Sequence, residues 1–270
     1  MAGDYDYVLD NSEAPSGFKS FFKIFIVIAA VCLGAELIWL LGISPFRPFS
    51  KIDITGFDEI GREEILAIAG INASSSYFST NVIKTENALM GISSIESARV
   101  FKFFPGRLRI VLDGRKPVAF ALASVNNKTV PVVFDSQGVI FEVGGKILPD
   151  FYPVISGLII EDPVPGMRLP GPFIPFLQEL EKIEISAPEL LSAVSEFRIY
   201  RKLFDGFDLI LYPAHKKIKV RMAEINEDML RYALLMVDVL SSDLIAEKGI
   251  DTLDFRSGIA SYIPKEAYPE

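Results

Sequence analysis

The longest uninterrupted apolar stretch of the chain lies between Ile24 and Ile43. It contains a single charged residue, Glu36, and no proline. A helix rises about 1.5 Å per residue, so roughly twenty such residues cross a hydrocarbon core of ~30 Å. The pattern therefore predicts one membrane-spanning helix. A short tail of residues 1–23 would lie on one side of the membrane, and a large folded part beyond Ser44 on the other.

A cleaved signal peptide is the alternative interpretation of this stretch. Signal peptides have a shorter apolar region, about 7–15 residues, followed by a cleavage site of the small-x-small type. The segment from Leu40 to Pro48 offers no such site, which favours an uncleaved anchor. Lys19 and Lys23 before the span are balanced by Arg47 and Lys51 after it, so charge does not set the orientation. The short tail and large C-terminal part favour a cytoplasmic N-terminus.

An acidic tail precedes the span, and one charged residue, Glu36, lies within it. The tail is acidic and contains Pro15, Ser16 and Gly17 without helical periodicity, which predicts a disordered, solvated segment. Glu36 has two interpretations. It lies about 10 Å from the outer end of the span, where it could be protonated or approach the interface. Alternatively it forms a hydrogen bond with the transmembrane helix of a partner.

The next part of the chain, up to about Leu112, alternates between strand and helix periodicities. Apolar alternation predicts strands, and broader apolar faces with capping or terminating residues predict helices. Five elements in this order predict a small α+β domain with two helices on a three-stranded sheet. They are a strand at Lys51–Gly56, a helix at Arg62–Ala69, a helix capped by Asn81 and ending near Met90, and strands at Ile95–Phe104 and Leu108–Leu112.

Residues 117–264 show mostly strand patterns, so the predicted fold class is α+β with a second, mostly antiparallel β domain. Turns at Gly138 and Asp205-Gly206 indicate hairpins. Ser186 and Glu189 suggest a capping box before a short helix, and Asn226 is a predicted N-cap. The helix after Asn226 is predicted to bury Ile225, Met229, Tyr232, Met236 and Val239. The predicted strands are Val118–Val125, Val130–Asp135, Val139–Val143, Phe197–Arg201, Phe207–Tyr212, Lys217–Arg221, Ile250–Arg256 and Ile259–Ile263.

Composition narrows the possible functions. The chain has a formal net charge of −8, one cysteine and one histidine. An acidic chain without a basic stripe argues against nucleic acid as a partner. Cys32 lies in the span and His215 in a predicted turn, so neither metal binding nor His-based catalysis is expected. Acid pairs such as Glu63-Glu64 are interpreted as surface charges. The prediction is a non-enzymatic protein without metal, cofactor or small-molecule substrate.

Several short motifs resemble a known family. The order Ile52-x-Ile54-x-Gly56, Ala98-x-Val100, Phe104-Pro105 is similar to a polypeptide-transport-associated (POTRA) domain. The segment Arg115-Lys116-Pro117-Val118-Ala119 resembles the R-K-P-V-A stretch with which bacterial division proteins of the FtsQ/DivIB family leave that domain. Gly114 stands where the family usually has Glu, with Asp113 one residue earlier. The second domain continues the resemblance in Phe134-Asp135-x-x-Gly138, Leu148-Pro149, Leu253-Asp254-Phe255-Arg256 and Pro264.

The resemblance implies a fold, a location and partners. It implies a tail (1–23), a transmembrane helix (24–43), a POTRA domain (47–116), a β domain (117–264) and a C-terminal tail (265–270). It further implies a scaffold at the division septum of the bacterial inner membrane, with both folded domains extracytoplasmic. Its partners would be FtsB- and FtsL-type coiled-coil proteins, which link early division factors to the septal peptidoglycan synthase.

The resemblance also implies a binding site at the last strand of the β domain. The carried-over residues are Ser257, Gly258, Ile259, Ala260, Ser261, Tyr262 and Ile263. Alternatively, Tyr262 and Ile259 merely close the core. Arg201 and Lys202 could pair with acidic residues of a partner, or could be solvated hairpin residues.

Two other functions are weighed against the scaffold. Another membrane-anchored adaptor, such as a glycan-binding or envelope-assembly module, stays open, although glycan binding would favour clustered exposed aromatic residues. A POTRA-bearing outer-membrane assembly protein would need many lipid-facing strands after its POTRA domains. The chain is too short for that and carries a helical span instead.

Overall fold

The computed structural model describes residues 16–145, 152–202, 206–241 and 250–264. Leu148-Pro149, Asp205 and the predicted tail segments 1–15 and 265–270 lie outside the described residues. Contacts divide the chain into two compact units. The first comprises Met1–Leu89 and Arg99–Val111, and the second comprises Met90–Ala98 and Leu112–Glu270. The predicted boundary near residue 116 stays a prediction.

The N-terminal apolar helix is longer than the predicted span. Helix α1 (Ser16–Ile38) continues through a π-helical segment (Trp39–Ile43) and a 3₁₀ turn (Ser44–Phe46). The stretch from Ser20 to Phe46 is long and apolar enough to cross a membrane, and none of the described residues buries it. The predicted single span near the N-terminus is confirmed. Residues 16–23, predicted as part of a disordered tail, are helical.

The small sheet has the predicted order of elements along the chain. It comprises β1 (Lys51–Thr55), β2 (Ile95–Phe103) and β3 (Arg107–Gly114), in the spatial order β1-β3-β2. β1 runs parallel to β3, while α2 (Arg62–Ile68) and α3 (Val82–Met90) lie between β1 and β2 in the chain. Asn81 caps α3 as predicted, since its side chain accepts a hydrogen bond from the Lys84 N–H at 3.1 Å.

Among the described residues, the larger sheet has nine strands, and this architecture confirms the α+β class. Its spatial order is β12-β11-β10-β9-β8-β7-β4-β5-β6. The pairs β4–β7, β7–β8 and β10–β11 are parallel and the others antiparallel. The strands are β4 (Ala119–Val125), β5 (Lys128–Phe134), β6 (Ile140–Val143), β7 (Val154–Ser156), β8 (Val194–Arg201), β9 (Phe207–Pro213), β10 (Lys219–Met222), β11 (Ile250–Asp254) and β12 (Ser261–Pro264).

Three helices accompany this sheet: α4 (Ile174–Ser186), α5 (Pro188–Ser192) and α6 (Glu227–Leu240). The predicted capping box is wrong. Ala187 is the N-cap of α5, and the Ser186 hydroxyl donates to Glu227 at 2.7 Å instead. Pro188 occupies the first helical position, where a missing N–H costs nothing.

The predicted buried face of α6 is correct only in part, since Ile225 is buried and Met229 and Met236 pack partly buried against the core. The helix begins at the predicted cap, Asn226, whose side chain accepts from the Met229 N–H at 2.8 Å. However, α6 buries Leu230, Ala233 and Val237, whereas the predicted core residues Tyr232 and Val239 are about half exposed. The core of this unit therefore uses an adjacent stripe of the same helix, and a second apolar stripe is left outside.

Candidate partner-binding edge

The last strand, β12, lies at one edge of the nine-stranded sheet. It pairs with β11 through Leu253 opposite Tyr262 and Asp254 opposite Ser261. Within the described part of the chain, no strand covers its other side. An edge strand leaves backbone N–H and C=O groups that a strand from another chain can complete.

The structure corrects the extent of the predicted edge strand. Ser257, Gly258 and Ile259 lie in the connection before β12, and the strand starts at Ser261 rather than at Ile259. Gly258 has a positive φ of 77° and its N–H donates to the Phe255 carbonyl at 3.0 Å. Glycine readily adopts this left-handed backbone, which allows the chain to reverse direction between β11 and β12. Ala260 is the last residue before the strand.

The exposure of Ile259 and Tyr262 decides between their two interpretations. Ile259 is 74% exposed and Tyr262 is 65% exposed. Neither side chain closes the core, so the alternative in which they only fill the interior is wrong. Both instead present apolar surface beside the open strand edge, and Ile263 is half-buried.

An apolar groove runs along this edge. It has a volume of about 230 Å³. Its walls come from helix α6, strand β11 and the start of β12, so it lies directly beside the free edge. The lining residues are Met236, Leu240, Ile250, Leu253, Ala260, Ser261 and Tyr262.

Helix α6 adds a stripe of exposed apolar side chains. Tyr232, Leu235 and Val239 are each between 50% and 59% exposed. Spacings of three and four residues place them on one side of the helix. The Tyr232 ring packs edge-on against Phe255, with ring centroids 5.8 Å apart. A surface helix ordinarily turns polar residues outward, so this exposed apolar stripe is a candidate interaction surface, as is the groove beside it.

A charged cluster holds the turn that leads into β12. The Arg256 guanidinium contacts Asp208 at 2.9 Å and Asp254 at 2.6 Å. The Lys202 ammonium lies 2.9 Å from the second oxygen of Asp208. Asp208 belongs to β9 and Lys202 follows β8, so Arg256 fastens the segment before β12 to the β8–β9 hairpin.

Hydrogen bonding shifts the pKa values of this cluster. For Asp254, hydrogen bonds from Arg256 lower the carboxyl pKa below its usual range. For Asp208, burial acts to raise the pKa, but the hydrogen bonds from Lys202 and Arg256 outweigh it and the pKa is lowered. The same bonds to Asp254 and Asp208 raise the pKa of Arg256. Asp208, Asp254 and Arg256 therefore carry their charges at neutral pH.

The other predicted site residues lie in different settings. Arg201 is exposed at the end of β8, opposite Phe207, while Lys202 is engaged with Asp208. Glu36 is an exposed residue of α1 within the apolar span. His215 is exposed in the turn between β9 and β10. Across the described ranges, no three His, Cys, Asp or Glu side chains come together in a metal-binding arrangement.

Sequence reasoning missed two parts of this site. Tyr232 and Val239 of the exposed α6 stripe were predicted as core, and Leu235 was not singled out. The Asp208–Arg256 contact joins residues 48 positions apart. The Asp208–Arg256 contact had a signal in the sequence, because Asp208 is a charged residue at the start of an otherwise apolar strand. A buried carboxylate of that kind requires a cationic partner.

Comparison with known proteins agrees with the geometry of the first unit. The family described as "POTRA domain, FtsQ-type" matches residues 47–115. The cell division protein FtsQ of Koribacter versatilis is 28% identical over 115 residues, covering 42% of this chain and 32% of that protein. FtsQ of Syntrophotalea carbinolica is 28% identical over 145 residues, covering 53% and 48%. FtsQ of Mycobacterium leprae is 29% identical over 126 residues, covering 46% and 35%.

These matches span between about a third and a half of the length of those relatives. They agree with the resemblance carried by Ile52, Gly56 and the Phe104-Pro105 turn. A single apolar N-terminal helix, an FtsQ-type domain after it and a larger, mostly antiparallel sheet occur together in the chain. Residues 47–115 therefore match a POTRA domain of the FtsQ type, and the chain is similar to the bacterial cell division proteins FtsQ.

Proposed function

We propose that the protein is a non-enzymatic scaffold of the divisome. It binds FtsB- and FtsL-type coiled-coil proteins and links early division factors to septal peptidoglycan synthesis. The similarity to cell division proteins FtsQ supports the process. The proposed binding mode rests on the open edge of β12 and the apolar groove beside it.

A strand from the partner extends the nine-stranded sheet at β12. Backbone hydrogen bonds to the free edge supply affinity independently of sequence, and side chains on one face of the added strand enter apolar pockets. The groove next to Tyr262 and the exposed stripe of α6 receive such side chains. An amphipathic helix that continues from the partner's strand covers Tyr232, Leu235 and Val239.

Two basic residues at the end of β8 contribute positive charge to the proposed interface. Arg201 is exposed and Lys202 has a partly exposed side chain, so both can meet acidic residues of the partner at the rim. Rim charges influence association rate and salt dependence more than affinity. Arg256 stays engaged with Asp208 and Asp254 and positions the strand rather than contacting the partner.

The proposal includes a topology with a single span. Residues 1–23 lie in the cytoplasm and residues 24–43 cross the inner membrane once. The POTRA domain (47–116) and the β domain (117–264) lie outside the cytoplasmic membrane at the division septum. Glu36 bonds to the transmembrane helix of a partner, because an intramembrane carboxylate is stabilised by such a hydrogen bond.

The test is a pull-down with the full-length protein from detergent-solubilised membranes of its own organism. Tyr262→Asp places a charge beside the groove and is expected to reduce recovery of small single-span coiled-coil proteins by about 30-fold, the effect of losing a hot-spot residue. The matched control is Leu122→Asp, because Leu122 is 53% exposed and lies on β4, six strands from β12. It is expected to leave recovery within about 2-fold.

Two outcomes would contradict parts of the proposal. Equal recovery by both variants, with both folded by circular dichroism, would move the contact away from β12 and α6. Recovery of envelope proteins unrelated to division by the unmodified chain would favour a different membrane-anchored adaptor.

A further inference from the structure

A cluster of aromatic side chains joins the end of the apolar span to the POTRA domain. The rings of Phe46 and Phe78 lie with centroids 5.1 Å apart, and Tyr77 contacts both Phe78 (5.6 Å) and Phe104 (5.9 Å). Phe46 is 67% exposed, Phe78 58% and Phe104 43%. These three exposed rings, of Phe46, Phe78 and Phe104, form the aromatic surface. Three separate segments of the chain thus place large apolar rings on one exposed surface.

The connection between span and domain is short and fixed. Only residues 47–50 separate the span from β1, and fully extended they would reach at most about 14 Å. Their backbone is also tied to the domain. The Phe49 N–H donates to the Ser75 carbonyl at 3.0 Å, and the Ser50 N–H to the Gly106 carbonyl at 2.8 Å. The aromatic surface therefore remains beside the point where the chain leaves the hydrocarbon.

The loop that carries Phe78 is held by internal contacts rather than by burial of this ring. The Lys102 ammonium donates to the carbonyls of Tyr77 at 2.8 Å and Thr80 at 2.9 Å. The Ser79 hydroxyl accepts a hydrogen bond from the Ser76 N–H at 2.8 Å. These bonds fix the loop on both sides of Phe78 while its ring points outward.

Basic side chains surround this end of the small sheet. The Arg47 guanidinium lies 4.6 Å from the centroid of the Trp39 ring, within the last part of the span. Lys51 and Arg107 are exposed and lie opposite one another in the β1–β3 pairing. Four exposed acidic residues of the POTRA domain follow the other end of β1, namely Asp58, Glu59, Glu63 and Glu64. At the basic end, Asp53 pairs with Lys51 at 3.3 Å, and the Lys51 side chain stays 61% exposed.

We propose that the aromatic surface docks on the surface of the lipid bilayer. Phe46, Phe78 and Phe104 enter the boundary between headgroups and acyl chains, as aromatic residues do at membrane interfaces. Arg47, Lys51 and Arg107 contact anionic phospholipid headgroups. Continuity with the membrane-spanning helix selects the bilayer as the occupant, since Phe46 is both the last residue of the span and a member of the surface. The POTRA domain is thereby held in one orientation on the membrane.

Quenching of tryptophan fluorescence by brominated lipids tests this proposal on the full-length chain. The protein is reconstituted in vesicles of phosphatidylglycerol and phosphatidylcholine whose acyl chains carry bromine. Trp39→Phe removes the only native tryptophan, and Phe78→Trp places one in the aromatic surface. The matched control is Thr55→Trp in the same background, because Thr55 is exposed at the other end of β1, roughly 13 Å from Lys51.

The expected result is at least about a 2-fold loss of emission for the tryptophan at position 78 and less than about 10% loss at position 55, since bromine quenches only indoles that enter the bilayer. Replacing phosphatidylglycerol by phosphatidylcholine is expected to reduce the quenching at position 78. Equally weak quenching at both positions would overturn the proposal and leave the surface for a protein partner. Equally strong quenching would overturn it as well, because the domain would then have no preferred side toward the membrane.

Discussion

Arg115 and Asp135 connect two motifs that the sequence presents 20 residues apart. Their charged atoms lie 2.5 Å apart, with side chains 14% and 6% exposed. The Arg115 Nε–H also donates to the Ser93 carbonyl, and Asp135 accepts from the N–H groups of Gln137 and Val139. The R-K-P-V-A and D-x-x-G segments therefore meet in one buried ion pair, which indicates a structural role for both.

Removing the carboxylate of Asp135 is expected to destabilise the protein strongly. Asp135→Ala leaves Arg115 partly buried without its counterion and removes the acceptor of two backbone N–H groups. We expect a loss of about 3–5 kcal/mol in the free energy of unfolding. Urea unfolding followed by circular dichroism measures it. Asp53→Ala is the control, since the Lys51–Asp53 pair is largely exposed and should cost less than about 1 kcal/mol. Similar losses for both variants would contradict a special role of the buried pair.

The cluster around Arg256 predicts a dependence of stability on pH. Because the pKa values of Asp208 and Asp254 are lowered in the folded protein, the unfolded chain binds protons first as the pH falls. Their stabilisation is complete well above the ordinary pKa of Asp, near 4, and is lost as the pH falls through the lowered values.

Arg256→Gln tests this dependence. It removes the cation that holds both carboxylates in their charged form, so the decline of the urea midpoint between pH 5 and about pH 2 is expected to become shallower. Lys182→Gln is the control, because Lys182 is 70% exposed and pairs with Glu179 one helical turn away on α4. An unchanged acid limb in the Arg256 variant would show that other carboxylates dominate.

At the scale of the element, helix α6 shows what a periodic pattern leaves undecided. Its sequence, EDMLRYALLMVDVL, is apolar over two adjacent stripes. Spacings of three and four residues fit either stripe, so the period identifies a helix without selecting its buried side. Packing in the core of the large unit selects Leu230, Ala233 and Val237, and the second stripe stays exposed at the candidate interface.

The two stripes predict different responses to truncation. Leu230 is fully buried and Leu235 is 59% exposed. Leu230→Ala is expected to cost about 2–5 kcal/mol in the free energy of unfolding, because it leaves a cavity in the core. Leu235→Ala is expected to cost less than about 1 kcal/mol and to weaken partner capture instead. Denaturation of both variants beside the pull-down separates the effects. A costly Leu235→Ala with normal capture would contradict the proposed interface.

For the whole molecule, local sequence patterns do not determine the order of strands in the large sheet. β7 has three residues, Val154–Ser156, and lies between β4 and β8 in parallel with both. It escaped prediction because three residues are too few to establish an alternating pattern. Gly157 ends it with a φ of 80°, and a Cβ there would lie 2.2 Å from the Ile199 carbonyl oxygen. Only a glycine permits this approach of two backbones, but a single glycine in a sequence does not reveal its neighbour.

The sequence by itself determined the features that depend on near neighbours in the chain. The apolar span, the β1–α2–α3–β2–β3 order, the Asn81 and Asn226 caps and the hairpins follow from periodicity and local hydrogen bonding. Motif order was enough to point to the FtsQ family. Tertiary structure decided which stripe of α6 is buried, where β12 begins, and that Arg256 joins Asp208. Those outcomes depend on side chains that meet only after the sheet has assembled, and no local preference along the chain encodes such distant contacts.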